Sequence, residues 1–122
     1  MKDLAIDIDD RPGSMAALGE SLARAGTNIE GFCGFSIEGK AVGHLLVEDA
    51  GGARQAIEQG GGHVTGEQDV LVLDLENQPG ALAETAGRIA DAGVNINLAY
   101  VASNNRVVIG ADDLDKARAA LG

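Results

Sequence analysis

The feature that most constrains this chain is that it contains itself twice. Shifted by 67 positions, it aligns with itself without a gap over about thirty residues. Pro12-Gly13 meets Pro79-Gly80, Ala25-Gly26 meets Ala92-Gly93, and Asn28-Ile29 meets Asn95-Ile96. Upstream, Leu4, Ile6 and Ile8 meet Leu71, Leu73 and Leu75, and Asp7 meets Asp74. Two unrelated alanine-rich helices would match in alanine. They would not also match in proline, glycine and asparagine.

Each copy reads in the same order. Leu4, Ile6 and Ile8 alternate with Ala5, Asp7 and Asp9, a strand with one apolar face; Leu71, Leu73 and Leu75 repeat it. The turns Asp10-Arg11-Pro12-Gly13 and Asn77-Gln78-Pro79-Gly80 follow. Proline is tolerated where a helix begins, because its missing N–H would be unpaired there anyway. A helix is then expected in each copy, with Met15, Leu18, Leu22 and Ala25 on one stripe and Leu82, Ala86, Ile89 and Ala92 on the other. Gly26 and Gly93 stand where a left-handed helix end is wanted. Strand pairs joined at Glu38-Gly39 and Asn104-Asn105 come next, since glycine and asparagine accept positive φ. A second helix closes each copy, and only the first copy goes on, through Gly60-Gly61-Gly62, to a strand at His63-Val64-Thr65.

The expected fold is therefore α+β: two ferredoxin-like βαββαβ sandwiches in tandem, with antiparallel sheets and helices on one face. Residues 1–67 form the first repeat and 68–122 the second, which lacks its last strand. One unit of this size buries only about 60% of its unfolded surface, so the halves are expected to pack on each other. The open edge at Val70–Leu75 calls for a cover, from a partner chain or from the strand around Val64 of another copy. A homodimer is the simplest assembly.

A strand, Asp/Asn-x-Pro-Gly, an amphipathic helix, Ala-Gly-x-Asn-Ile and a hairpin together resemble the ACT domain, a small-molecule-sensing regulatory module. Both copies carry the pattern over nearly the whole chain. The resemblance implies a non-catalytic, allosteric regulator that binds a ligand between two ACT units, often an amino acid. The residues it points to are Asp10, Arg11, Pro12, Gly13, Asn28 and Ile29 in the first copy. In the second they are Asn77, Gln78, Pro79, Gly80, Asn95 and Ile96. Asn77 and Asn95 match both asparagines of serine-sensing members. Asp10 replaces the first of them in the other copy, so equal binding by the two halves does not follow.

The chemistry of these residues agrees with a ligand of that kind. Backbone N–H groups at a helix start favour a carboxylate. Asp10 and the amide oxygens of Asn77 and Asn95 can accept from an ammonium. Eighteen residues separate Asp10 from Asn28, and Asn77 from Asn95, one helix out and the start of a strand back. That spacing is expected to bring both side chains to one end of the sheet. The same residues also suit purely structural turns, and the pattern leaves both uses open.

Composition narrows the rest. Acidic residues outnumber basic ones by 19 to 9, for a net charge of −10, which repels phosphate backbones and anionic lipid alike. No apolar run approaches the ~18 residues of a membrane helix, and the N-terminus lacks the apolar stretch of a secretory signal. The lone Cys33 fits a reducing, cytoplasmic setting and reads as a small core or interface residue. His44 and His63 lie in different strands with no ligand spacing, so neither metal nor cofactor is expected. Gly60-Gly61-Gly62 lacks the lysine of a phosphate loop and reads as a turn. Asp112, Asp113 and Asp115 sit at the front of a helix, where negative charge is favoured without any metal. No nucleophile–base pair or carboxylate dyad stands out. The rival readings are a subunit that docks on a metabolic enzyme without binding a metabolite, and a small ferredoxin-like enzyme.

Overall fold

The computed structural model describes all 122 residues. The chain separates into two compact units, Met1–Gln68 and Asp69–Gly122. The first runs β1 (Lys2–Asp9), α1 (Ser14–Arg24), β2 (Gly31–Ile37), β3 (Lys40–Val47), α2 (Ala50–Gln59) and β4 (His63–Asp69). Its strands lie in the order β4-β1-β3-β2. The second runs β5 (Leu71–Asp74), α3 (Ala81–Asp91), β6 (Ile96–Ala102), β7 (Arg106–Ala111) and α4 (Leu114–Leu121). Its strands lie in the order β6-β7-β5. The β1–β3, β2–β3, β5–β7 and β6–β7 pairs are all antiparallel. Four helices and seven strands make the chain α+β.

Each unit has its own core on the helix-bearing side of its strands. In the first, Leu4 and Ile6 of β1 and Leu45 and Val47 of β3 meet Leu18 and Leu22 of α1 and Ala53, Ala56 and Ile57 of α2. Period-2 alternation puts those strand residues on one face, and a spacing of four puts Leu18 and Leu22 on one side of α1. Full burial of a leucine or isoleucine contributes about 1.5–3 kcal/mol. In the second unit Leu71, Val107 and Ile109 meet Ile89 of α3, Val94 and Ala117 of α4. The expected stripes hold at their centres only. Leu18, Leu22 and Ile89 are buried, whereas Met15 and Leu82, at the first turns, are each 46% exposed.

The helix ends repeat as well. Thr27 N–H donates to Leu22 O and Gly26 N–H to Ala23 O; Val94 N–H donates to Ile89 O and Gly93 N–H to Ala90 O. This pair of bonds ends a helix through a left-handed residue, and Gly26 and Gly93 have φ of 72° and 77°. Val94 is buried beside Ile89, the apolar contact that accompanies such an end.

The three consecutive glycines do more than turn the chain. A β-carbon on Gly60 would stand 2.7 Å from Ser21 Oγ of α1. One on Gly62 would stand 2.9 Å from Ile57 and 3.0 Å from Ile8. They let the end of α2 close against α1 and β1. The acidic run is likewise structural. Asp113 Oδ1 accepts the Lys116 N–H at 3.0 Å, capping α4, and Asp112 Oδ1 accepts the Asn95 N–H at 3.1 Å. No helix is long and apolar enough to cross a membrane.

Candidate functional site

The two Pro-Gly turns are built alike. Arg11 N–H donates to Asp9 O and Ser14 N–H to Arg11 O; Gln78 N–H donates to Glu76 O and Ala81 N–H to Gln78 O. Each turn delivers a glycine in left-handed backbone at the helix start, Gly13 with φ 89° and Gly80 with φ 90°. Neither can cap, having no side chain, so no side chain satisfies the first N–H groups of α1 or α3. The other two helices differ. Asp49 Oδ1 accepts the Gly52 N–H at the start of α2, and Asp113 caps α4. Uncapped helix starts present backbone donors and the positive end of the helix dipole.

Each uncapped start opens on a hollow within its own unit. In the first, an open hollow of about 430 Å³ is lined by Asp9, Arg11, Pro12, Gly13, Ser14 and Ala17, with Gly60 and Gly61. In the second, an open hollow of about 340 Å³ is lined by Glu76, Gln78, Pro79, Gly80, Glu84 and Arg88, among others. Their charge differs. Arg11 lies 3.6 Å from Asp9 and is largely exposed, and α1 has no acid in its first turn. Glu84 stands in the first turn of α3 and is bridged to Arg88 at 3.3 Å. A carboxylate therefore meets less repulsion at the first turn than at the second. Asp10 is exposed and lies outside the first hollow, and Asn77 faces a smaller hollow on the hairpin side of its turn.

The asparagines after the helices are elsewhere. The chain leaves the Pro-Gly turn, runs the 11 residues of α1, and reaches Asn28 about 16 Å away at 1.5 Å per residue. The strand pairing fixes which end that is. Lys40 pairs with both Asp9 and Ile37, so the hairpin tip shares the turn's end, while Gly31 pairs with Leu46 far from it. Within one unit Asp10 and Asn28 thus lie at opposite ends, and α3 separates Asn77 and Asn95 in the same way. The expectation that each pair shares one end is corrected. A helix carries the chain across the sheet, and only the far end of the next strand returns.

At that far end Asn28 is exposed and its Nδ2 donates to Glu30 Oε2. The Asn95 backbone is clipped to Asp112, whose own N–H donates to Asn95 O at 3.1 Å. Ile29 and Ile96 are half-buried against the two cores.

One polar pair escaped the sequence. His44 Nδ1 of β3 lies 2.7 Å from Asp3 Oδ2 of β1, and Asp3 is 1% exposed. The two are 41 residues apart and meet only because β1 and β3 are neighbours. Cys33 of β2 pairs in register with His44 of β3. Burial pushes its thiol pKa up; a hydrogen bond from the His44 backbone lowers it, and the Asp3 charge raises it further. A raised thiol is a poor nucleophile. No group of three or more His, Cys, Asp or Glu side chains is placed to hold a metal ion.

Neither a family model nor a curated protein matches the sequence. Solved structures do. A protein of Bacteroides thetaiotaomicron superposes with a TM-score of 0.85 at 28% identity, covering 98% of this chain and 85% of that one. The ligand-free regulatory subunit of aspartate kinase from Thermus thermophilus gives 0.74 at 22% identity, over 98% of this chain and 87% of that one. The corresponding subunit from Thermus flavus gives 0.70 at 20%, over 99% and 91%. In fold, this chain is ACT-like and similar to regulatory subunits of aspartate kinase.

Proposed function

We propose that this chain is a non-catalytic regulatory protein of two ACT-like repeats, residues 1–67 and 68–122, that binds an amino acid at its Pro-Gly turns. The observation that carries the reading is the contrast among the helix starts. The two Pro-Gly helices are uncapped and open on hollows; the other two are capped by aspartate. The α-carboxylate would accept from the first free N–H groups of α1, with Arg11 beside it. Asp9 at the first hollow and the Gln78 side-chain oxygen at the second would accept from the ammonium, with Asp10 and Asn77 on the turns just outside them. Pro12, Gly13, Pro79 and Gly80 would hold the backbone in place. The first repeat is the better carboxylate site, since Glu84 opposes an anion in the second.

Asn28, Ile29, Asn95 and Ile96, at the far ends, would complete the site from a second copy in a homodimer. Binding would then alter association or the activity of a partner enzyme, because a ligand shifts an equilibrium only by binding one state better. Such a regulator would act in the cytoplasm, where the single Cys33 stays reduced.

A thermal-shift screen against the amino acids tests this. A ligand at 100 times its Kd adds about 2.7 kcal/mol of stability. A hit that survives the double change Asn28→Ala and Asn95→Ala removes the far-end asparagines from the site. No hit with any amino acid removes the reading. Light scattering at micromolar concentration checks the dimer, and a monomer counts against it.

A further inference from the structure

Of the seven exposed large apolar side chains on this acidic chain, four belong to α1 and β2 of the first unit. Met15, Phe32 and Phe35 stand where the first turn of α1 meets β2, and Ile37 follows on the same strand. Clustered exposed apolar groups mark a binding surface more often than single ones do. Met15, Phe32 and Phe35 line a hollow of about 230 Å³ that opens beside the first turn of α1, apart from the Pro-Gly hollow.

The hollow exists because the sheet beneath it has almost no side chains. Gly34 and Gly43 face each other across β2 and β3, in line with Ile6 of β1. The next row is Ser36, Ala41 and Ile8. The second unit shows what the fold otherwise does. Leu73, which matches Ile6 in the repeat, lies in line with Val107 and Val101. There the hollow is smaller, about 170 Å³, and Glu76 and Arg106 bring charge to it. Gly34 does not adopt left-handed backbone, so its missing side chain makes room and not a turn. The room is partly taken by the Phe32 ring, whose edge lies 3.0 Å from where a Gly34 β-carbon would stand. No charged side chain lines the first unit's hollow, and Ser36 is its one polar side chain.

We infer that this hollow is a second ligand site, distinct from the Pro-Gly turns, that takes a neutral aromatic ring compound. An enclosed apolar cavity of about 150 Å³ suffices for benzene, so a hollow of about 230 Å³, open to solvent on one side, has room for a ring of indole size. The absence of a lining cation, on a chain of net charge −10, selects a neutral ring over an anionic one. Phe32, resting on glycine, is the side chain that shifts to admit it.

Indole is the probe, and the chain has no tryptophan to obscure its emission. Titrating the full chain into indole is expected to shift its emission to shorter wavelength and to saturate at one indole per chain. Gly34→Val, which copies the second unit, and Ala41→Leu each fill the hollow and should weaken binding at least tenfold. Both variants should still melt cooperatively and respond to any amino-acid ligand as the parent does, which separates this site from the turns. Three results overturn the proposal. They are no saturable shift, unchanged affinity in both variants, and two indoles per chain. A change of oligomeric state in the filled variants without indole binding to the parent also overturns it, because the patch is then an interface between copies.

Discussion

The same substitution at two glycines, one just before α3 and one inside it, should move stability in opposite directions. Gly80 begins the helix at φ 90°, and a β-carbon there would meet nothing within 4 Å. Gly80→Ala therefore introduces no clash with its surroundings. Its whole cost is holding an L-residue in left-handed backbone, about 1–2 kcal/mol. Gly87 lies seven residues on, exposed in the interior of α3, and a β-carbon there also meets nothing within 4 Å. Gly87→Ala removes the conformational cost of glycine in a helix and should gain about 0.8–1 kcal/mol. For a unit of this size 1 kcal/mol corresponds to roughly 4–8 °C in Tm. Gly80→Ala should thus melt several degrees below the parent and Gly87→Ala several degrees above it. Circular dichroism melts at one protein concentration read both. If the two variants shift in the same direction, backbone geometry does not govern the Pro-Gly turn.

Glu38 is a non-glycine residue at φ 49° in the β2–β3 hairpin, so Glu38→Asn should raise the Tm, because asparagine tolerates that region better. Asp113→Ala removes the cap of α4 and should cost about 1 kcal/mol in urea denaturation, while leaving any amino-acid response intact. Burial raises the Cys33 pKa, so less thiolate is present at neutral pH than in a free cysteine. Alkylation by iodoacetamide, followed by mass spectrometry, should be slower than for a model peptide at pH 8 and rise at higher pH. Alkylation at the peptide's rate would contradict the burial.

The Pro-Gly turns, the glycine helix ends and both hairpins were legible in the sequence because each rests on local backbone preference. Gly26, Gly93, Asn104 and Asn105 all adopt the positive φ that their chemistry permits. The extent of the apolar stripes was less legible. Periodicity names a face of a helix, but not how far along it the sheet extends, so Met15 and Leu82 read as core and stand exposed. The candidate site was legible by half. The turns open on hollows, whereas Asn28 and Asn95 lie a helix length away. Counting residues between two side chains ignores the direction in which the intervening element runs.

By itself, then, the sequence determined that one α+β pattern is written twice, and where each copy turns, because these follow from short-range sterics and from periods of 2 and 3.6 residues. Strand neighbours decided the rest. They brought Asp3 to His44 from 41 residues away, set Gly34 opposite Gly43 to leave a hollow under Phe32, and put the asparagines at the far end from the turns. Contacts of that kind depend on which strand lies beside which, and on the helix length between them. No local preference carries that information.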